Sequence, residues 1–129
     1  MAQIKVYALR STLDALRPAL SDMIQAALGS ALGLPESKRF QRFLPLAPED
    51  FVFPEDRSER YTIMEVQLFT GRRPETLRQL IRDLQRGWQQ DLGGLPNDLE
   101  VVLIQTPAEQ WGIRGQLGHE LSLSYEVNV

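Results

Sequence analysis

One plan is written twice in this chain, and that repeat limits the folds open to it. Gly33-Leu34-Pro35 and Gly94-Leu95-Pro96 lie 61 residues apart, and each closes an amphipathic stretch that follows an alternating, strand-like one. In the first copy Ile4, Val6 and Ala8 point one way and Lys5 and Tyr7 the other, which predicts a strand from Ile4 to Leu9. Ser11 is placed to cap a helix, with Asp14 three residues on, and Leu13, Leu16, Leu20, Met23, Ile24, Ala27 and Leu28 mark its apolar face. Pro18 suits that helix only in its first turn or at a bend. Gly29 and Gly33 end it, and Arg39–Leu46 reads as the next strand. The second copy runs through strand Tyr61–Phe69, helix Pro74–Leu92, the turn Gly93–Asp98 and strand Leu99–Gln105.

A helix that joins two parallel strands is a crossover connection, expected to be right-handed. Two such β-α-β units, about 3–46 and about 61–105, predict one α+β domain over residues 1–129: a four-stranded sheet with two helices on one face. Pro45 to Arg60 reads as a connecting loop around Phe51-Val52-Phe53. Leu121, Leu123, Tyr125 and Val127 alternate, which predicts a C-terminal strand over about 120–129. Helices on one face only would leave the other face of the sheet bare, so oligomerisation through that face is expected. The same order of elements would also suit a ferredoxin-like dimer.

Composition narrows the function. Formal net charge is −3, which argues against a general nucleic-acid binder. No apolar run reaches the roughly 20 residues that span a bilayer, and the amino terminus lacks a secretory pattern, so no membrane partner and a cytoplasmic location are expected. With no cysteine and one histidine, His119, neither a thiol nucleophile nor a metal cluster is expected, and nothing calls for a cofactor. Twelve of the fourteen basic residues are arginine, whose planar fork suits carboxylates. Arg78, Arg82 and Arg86 form a stripe that reads as a solvated helix face, with Glu75 and Asp83 nearby. Arg72 and Arg73 instead stand at a strand-to-helix junction, between Gly71 and Pro74, where unpaired helix N–H groups can hold an anion.

Taken with the repeat, the Leu-Pro turns and Trp111 before the C-terminal run, these features resemble the tautomerase superfamily, in particular its fused-repeat members that include malonate semialdehyde decarboxylase. Pro35-x-x-x-Arg39-Phe40-Gln41 is similar to that family's Pro-x-x-Asp-Arg-Tyr-Gln. Phe69-Thr70-Gly71-Arg72-Arg73 stands where its Ser-Arg-x-Arg occurs, and Glu109-Gln110-Trp111-Gly112 resembles its Asp-Trp-Ser stretch. The resemblance implies a homotrimer whose sheets form an inner barrel with helices outside. It also implies a pocket at the start of the first strand, an amino-terminal proline as base, acid or imine former, arginines that bind the substrate carboxylate, and an orienting acid.

The chain departs from that pattern at the catalytic positions. Ala2 stands where the resemblance calls for proline, Lys38 where it calls for the acid, and Gly71 in place of one arginine, while Arg73 aligns with the other. With Met1 in place the free amine is expected one residue away from the proline position. Two functions follow as expectations. One is a trimer that binds a small oxo or enol carboxylate through Arg73, Arg72 and Trp111 without the proline chemistry. The other is a keto–enol tautomerase or decarboxylase that uses a primary amine, from processed Ala2 or from Lys38. Trp111 fits equally as pocket wall or as packing anchor.

Overall fold

The computed structural model describes residues 2–129. Strand β1 (Ala2–Leu9) leads into helix α1 (Arg10–Leu32) and strand β2 (Gln41–Leu46); β3 (Thr62–Phe69), α2 (Pro74–Gln90) and β4 (Leu99–Thr106) repeat the sequence of elements. In the sheet the order is β2-β1-β3-β4, with β1 parallel to β2, β3 parallel to β4, and β1 antiparallel to β3 where the repeats meet. Each β-α-β unit therefore keeps its two strands side by side, which excludes the split arrangement of a ferredoxin-like sheet.

The period-2 pattern sorts the faces. Ala2, Ile4, Val6 and Ala8 of β1 and Thr62, Met64, Val66 and Leu68 of β3 are buried beneath the helices. They pack with Leu13, Leu20, Ile24 and Leu28 of α1 and Leu80, Leu84 and Trp88 of α2. On the opposite face cross-strand neighbours carry Lys5, Tyr7, Leu44, Ile63, Glu65 and Val102. Tyr7 donates there to Glu65 at 2.7 Å from phenol to carboxylate and Arg42 donates to Gln3 at 3.0 Å, while Val102 is 49% exposed.

Several local expectations need correction. Helix α1 begins at Arg10 rather than beyond a Ser11 cap: Leu9 holds the cap position in extended backbone, and no side chain caps it. Pro18 lies inside α1, well beyond its first turn. Apolar packing along the helix outweighs the one main-chain bond that proline removes. Gly33 ends α1 in the left-handed conformation (φ 69°), while Gly29 lies within the helix and supplies the carbonyl that Gly33 N–H caps at 3.0 Å.

The expected C-terminal strand is absent. After a hairpin of β5 (Gly112–Ile113) and β6 (Gln116–Leu117) the chain makes a 3-10 turn at Gly118–Glu120. Residues 121–129 then form no strand, although their exposure alternates as a strand's would, with Leu121, Leu123, Tyr125, Val127 and Val129 turned inward. The ribbon crosses the β3–α2 junction instead of running along a sheet edge, so no ladder partner faces it. Arg73 N–H donates to Val129 O at 2.8 Å, and Val127 and Asn128 lie over Gly71 (φ 140°), where a Cβ would come within 3.2 Å of both side chains.

Candidate functional site

The site is assembled at one end of β1 by segments far apart in sequence. Ala2, buried at the start of β1, shares a cavity of about 140 Å³ with Leu34 and Phe40 on the apolar side and with Lys38 and Arg114 as cations. Ser122 to Tyr125 of the C-terminal ribbon close it from the other side. Drug-sized pockets run to about 300–1,000 Å³, so this one suits a small molecule. Both charged side chains on its wall are positive, and no carboxylate lines it among the described residues. Such a wall favours an anion.

Local chemistry explains how the two cations come to be there. Lys38 ends a turn in which its own N–H donates to Pro35 O at 2.9 Å, and the buried amide of Gln25 donates to the same carbonyl at 3.2 Å. The next residue, Arg39, is held to α1 by Asp22 at 2.8 Å and also pairs with Glu36. Lys38 is thus fixed at the backbone on both sides while its amine stays free of any salt bridge among the described residues. Arg114 sits at the tip of the β5–β6 hairpin, where it and Gly115 both have positive φ (52° and 77°), as a two-residue type I′ turn requires. That hairpin is anchored by Trp111. Its ring meets Phe69 edge-on at 5.1 Å, and its indole N–H donates to Thr106 O at 3.3 Å.

The residues singled out by sequence therefore separate into two groups. Ala2 and Lys38, from either side of α1, line one cavity; Arg73 and Trp111 do not line it. Arg73 is exposed, and its main chain rather than its guanidinium ties down the ribbon. Arg72 is the opposite case: only 6% exposed, with Nη1 3.5 Å from Phe69 O and with Nε and Nη2 making no hydrogen bond among the described residues. Burial pushes its pKa down from the ordinary arginine value, and the Tyr125 phenol is the group that opposes that shift. Tyr125 in turn has its pKa raised by burial, while Arg72 and Arg114 pull it down. The expected displacement of the free amine onto Met1 lies outside the described residues.

No signal in the sequence assigns Arg114 or the run 122–125 to this cavity, and Phe40 stands there only as part of a motif. Arg114-Gly115 between short apolar pairs is a hairpin signal of the left-handed kind, but nothing local says that its tip reaches β1. Among the described residues no cluster of His, Asp and Glu is arranged to hold a metal ion, and no helix is long and apolar enough to cross a membrane.

A family profile described as Tautomerase enzyme matches residues 38–114, more than half of the chain. The chain belongs to this tautomerase family. Solved structures with the same fold include malonate semialdehyde decarboxylase, 23% identical with a TM-score of 0.77 over 88% of this chain and 92% of that one. A fused 4-OT that forms an asymmetric trimer superposes at TM-score 0.80 with 18% identity, over 92% of this chain and 97% of its own. A member of the cis-3-chloroacrylic acid dehalogenase family gives 0.78 at 18% identity, over 89% and 82%. At these identities the likeness establishes the fold of this tautomerase-family protein and leaves its chemistry to the site.

Proposed function

We propose that this tautomerase-family protein is a homotrimer that binds a small oxo or enol carboxylate in the cavity beside Ala2, without amino-terminal proline chemistry. The observation that carries the reading is the pairing of Lys38 and Arg114 on the wall of a small cavity that no carboxylate lines. Ala2 stands at the start of β1 and offers no pyrrolidine nitrogen. The trimer is supported by the partly apolar sheet face around Ile63 and Val102, and by related folds solved as trimers. Within this reading the ligand's carboxylate pairs with Arg114 and Lys38, and Phe40 and Leu34 pack its carbon chain.

Calorimetric titration with pyruvate and with phenylenolpyruvate tests it. Removal of one charge-assisted contact costs about 1.5–3 kcal/mol, roughly ten- to a hundredfold in affinity. Lys38→Ala and Arg114→Ala should each weaken binding by that factor, and Arg73→Ala, outside the cavity, should change it little. Binding untouched by both cavity variants would remove the proposed site. Sedimentation of a stable monomer would remove the trimer.

A second reading is favoured by one fact: Lys38 places a primary amine in the same cavity as Ala2. A primary amine condenses with a ketone to an imine, which draws electrons from a neighbouring carboxylate or C–H bond. Borohydride reduction in the presence of pyruvate should then attach the acid to Lys38, as read by peptide mass spectrometry. No such adduct, with binding intact, leaves the protein a binder.

A further inference from the structure

The ribbon 122–129 and the buried guanidinium of Arg72 belong together. Arg72 turns Nη1 toward Phe69 O and leaves Nε and Nη2 without a partner. Those two nitrogens form the side-on fork that takes a carboxylate bidentately. An unpaired charge taken from water is costly, and among the described residues no acid pairs with Arg72 to offset it. What covers this region is weakly tied. From Ser122 to Val129 the one main-chain hydrogen bond to the rest of the molecule, among the described residues, is Arg73 N–H to Val129 O, and no side chain of the ribbon makes a hydrogen bond. Its remaining hold is packing, with Tyr125 against the core and Val127 against Gly71.

The same ribbon forms one side of the cavity that holds Lys38 and Arg114, and Tyr125 lies within electrostatic reach of both Arg72 and Arg114. Gly71 fits this arrangement. A Cβ there would come within 3.2 Å of both Asn128 Oδ1 and Val127 Cγ1, so its absence spares the ribbon a tight contact.

We propose that Ser122–Val129 is a strap that lifts to admit a small carboxylate and recloses over it, with Tyr125 as the side chain that separates Arg72 from the Lys38–Arg114 cavity until it lifts. This rests on the carboxylate-binding reading above and adds regulated access to it. With Tyr125 lifted, the unpaired fork of Arg72 joins Lys38 and Arg114 as a further positive partner for the carboxylate. The single main-chain tie lets the strap open without loss of the sheet or helices.

The test modifies Arg72 with phenylglyoxal in the whole protein, in a chain ending at Leu121 and in Tyr125→Ala, with peptide mass spectrometry to read each arginine. Exposed Arg78 serves as internal reference. Reaction of a group reached only through local opening follows the population of the open form, so Arg72 should react roughly tenfold faster or more without the strap, and faster in Tyr125→Ala. Pyruvate should slow modification of Arg72 but not of Arg78 in the whole protein, and should also slow hydrogen exchange at amides 122–129. If the shortened chain misfolds by circular dichroism, Tyr125→Ala carries the comparison. Equal Arg72 rates in whole and altered protein would overturn the strap, even where pyruvate binds in a Lys38-dependent way. Acceleration without any pyruvate effect would instead overturn the carboxylate reading, and with it the entry role.

Discussion

A methyl group added at Gly94 should cost this protein more than one added at Gly93, although the two glycines are adjacent. A Cβ at Gly94 would lie 2.2 Å from Nε1, 2.3 Å from Cε2 and 2.6 Å from Cδ1 of Trp88. The indole cannot yield. It is fully buried, donates from Nε1 to Leu95 O at 3.0 Å, and lies under the Arg60 guanidinium at 5.6 Å. Relief therefore requires the turn itself to retreat by more than about 1 Å, to reach an ordinary carbon contact. That movement strains the Gly94 N–H bond to Trp88 O, now 2.9 Å, and breaks the one from the indole. Overpacking costs about 1–3 kcal/mol and the hydrogen bond about 1 more, so Gly94→Ala should lose about 2–4 kcal/mol. For a chain of this length the unfolding entropy is about 0.27 kcal/mol/K, so Tm should fall by about 7–15 °C. Gly93 has φ 64° and open space around it, so Gly93→Ala carries only the left-handed penalty of roughly 1–2 kcal/mol. Thermal and urea unfolding followed by circular dichroism would read both. The penalty of Gly94→Ala should also shrink in a Trp88→Leu background, because the clashing ring is then gone. A Gly94→Ala loss smaller than that of Gly93→Ala, or one unchanged by Trp88→Leu, would refute the steric account.

Two titrations follow from the tyrosines and from Glu100. All three phenols have raised pKa values: Tyr7 through its hydrogen bond to Glu65, Tyr61 through burial to about 12, and Tyr125 through burial. A raised folded value means that this stability is whole below pH 10 and is lost as pH climbs through the folded values. Phenolate absorbance in the folded protein should therefore lag that of the urea-unfolded chain, and superimposable curves would refute it. Glu100 runs the other way, held below its usual range by hydrogen bonds from the Tyr61 hydroxyl at 2.6 Å and from Arg57 at 2.9 Å. Its stabilisation is present above about 4.5 and lost as pH falls through its lowered folded value. Since its side chain is 44% exposed, the effect should stay below about 1 kcal/mol, and urea midpoints of Glu100→Gln should depend less on pH between neutrality and acid than those of the parent. An identical pH dependence would show the contact to be inconsequential.

How much of this was legible in the chain depends on the range of the interactions involved. Alternation of Ile4, Val6 and Ala8, the stripe through Leu80, Leu84 and Trp88, and Pro74 at a helix start are local signals, because strand and helix periods repeat within a few residues. The duplicated β-α-β plan follows from them, since a single helix between two strands leaves few ways to return to the sheet. The Gly-Leu-Pro match, although real as sequence, does not extend to structure position by position: Leu34 is buried and Leu95 is 61% exposed, and the left-handed role of Gly33 passes to Gly93 while Gly94 makes room for Trp88. Only the tertiary structure decided that.

It also decided the C-terminal run. Residues 121–129 carry a strand's alternation, but a strand needs a neighbour's main chain beside it, and packing across Gly71 produces the same alternation without one. The candidate site shows the division most clearly. Ala2, Lys38 and the motif that contains Phe40 are legible in the sequence by resemblance, whereas the part played by Arg114 and Tyr125 is not, because the cavity gathers its lining from four separate segments. Arg72 and Arg73 are adjacent and chemically alike in the sequence. One is buried with an unpaired fork and the other faces solvent, because a junction between strand and helix turns successive side chains to opposite sides, and only the ribbon laid across it tells which side is inside.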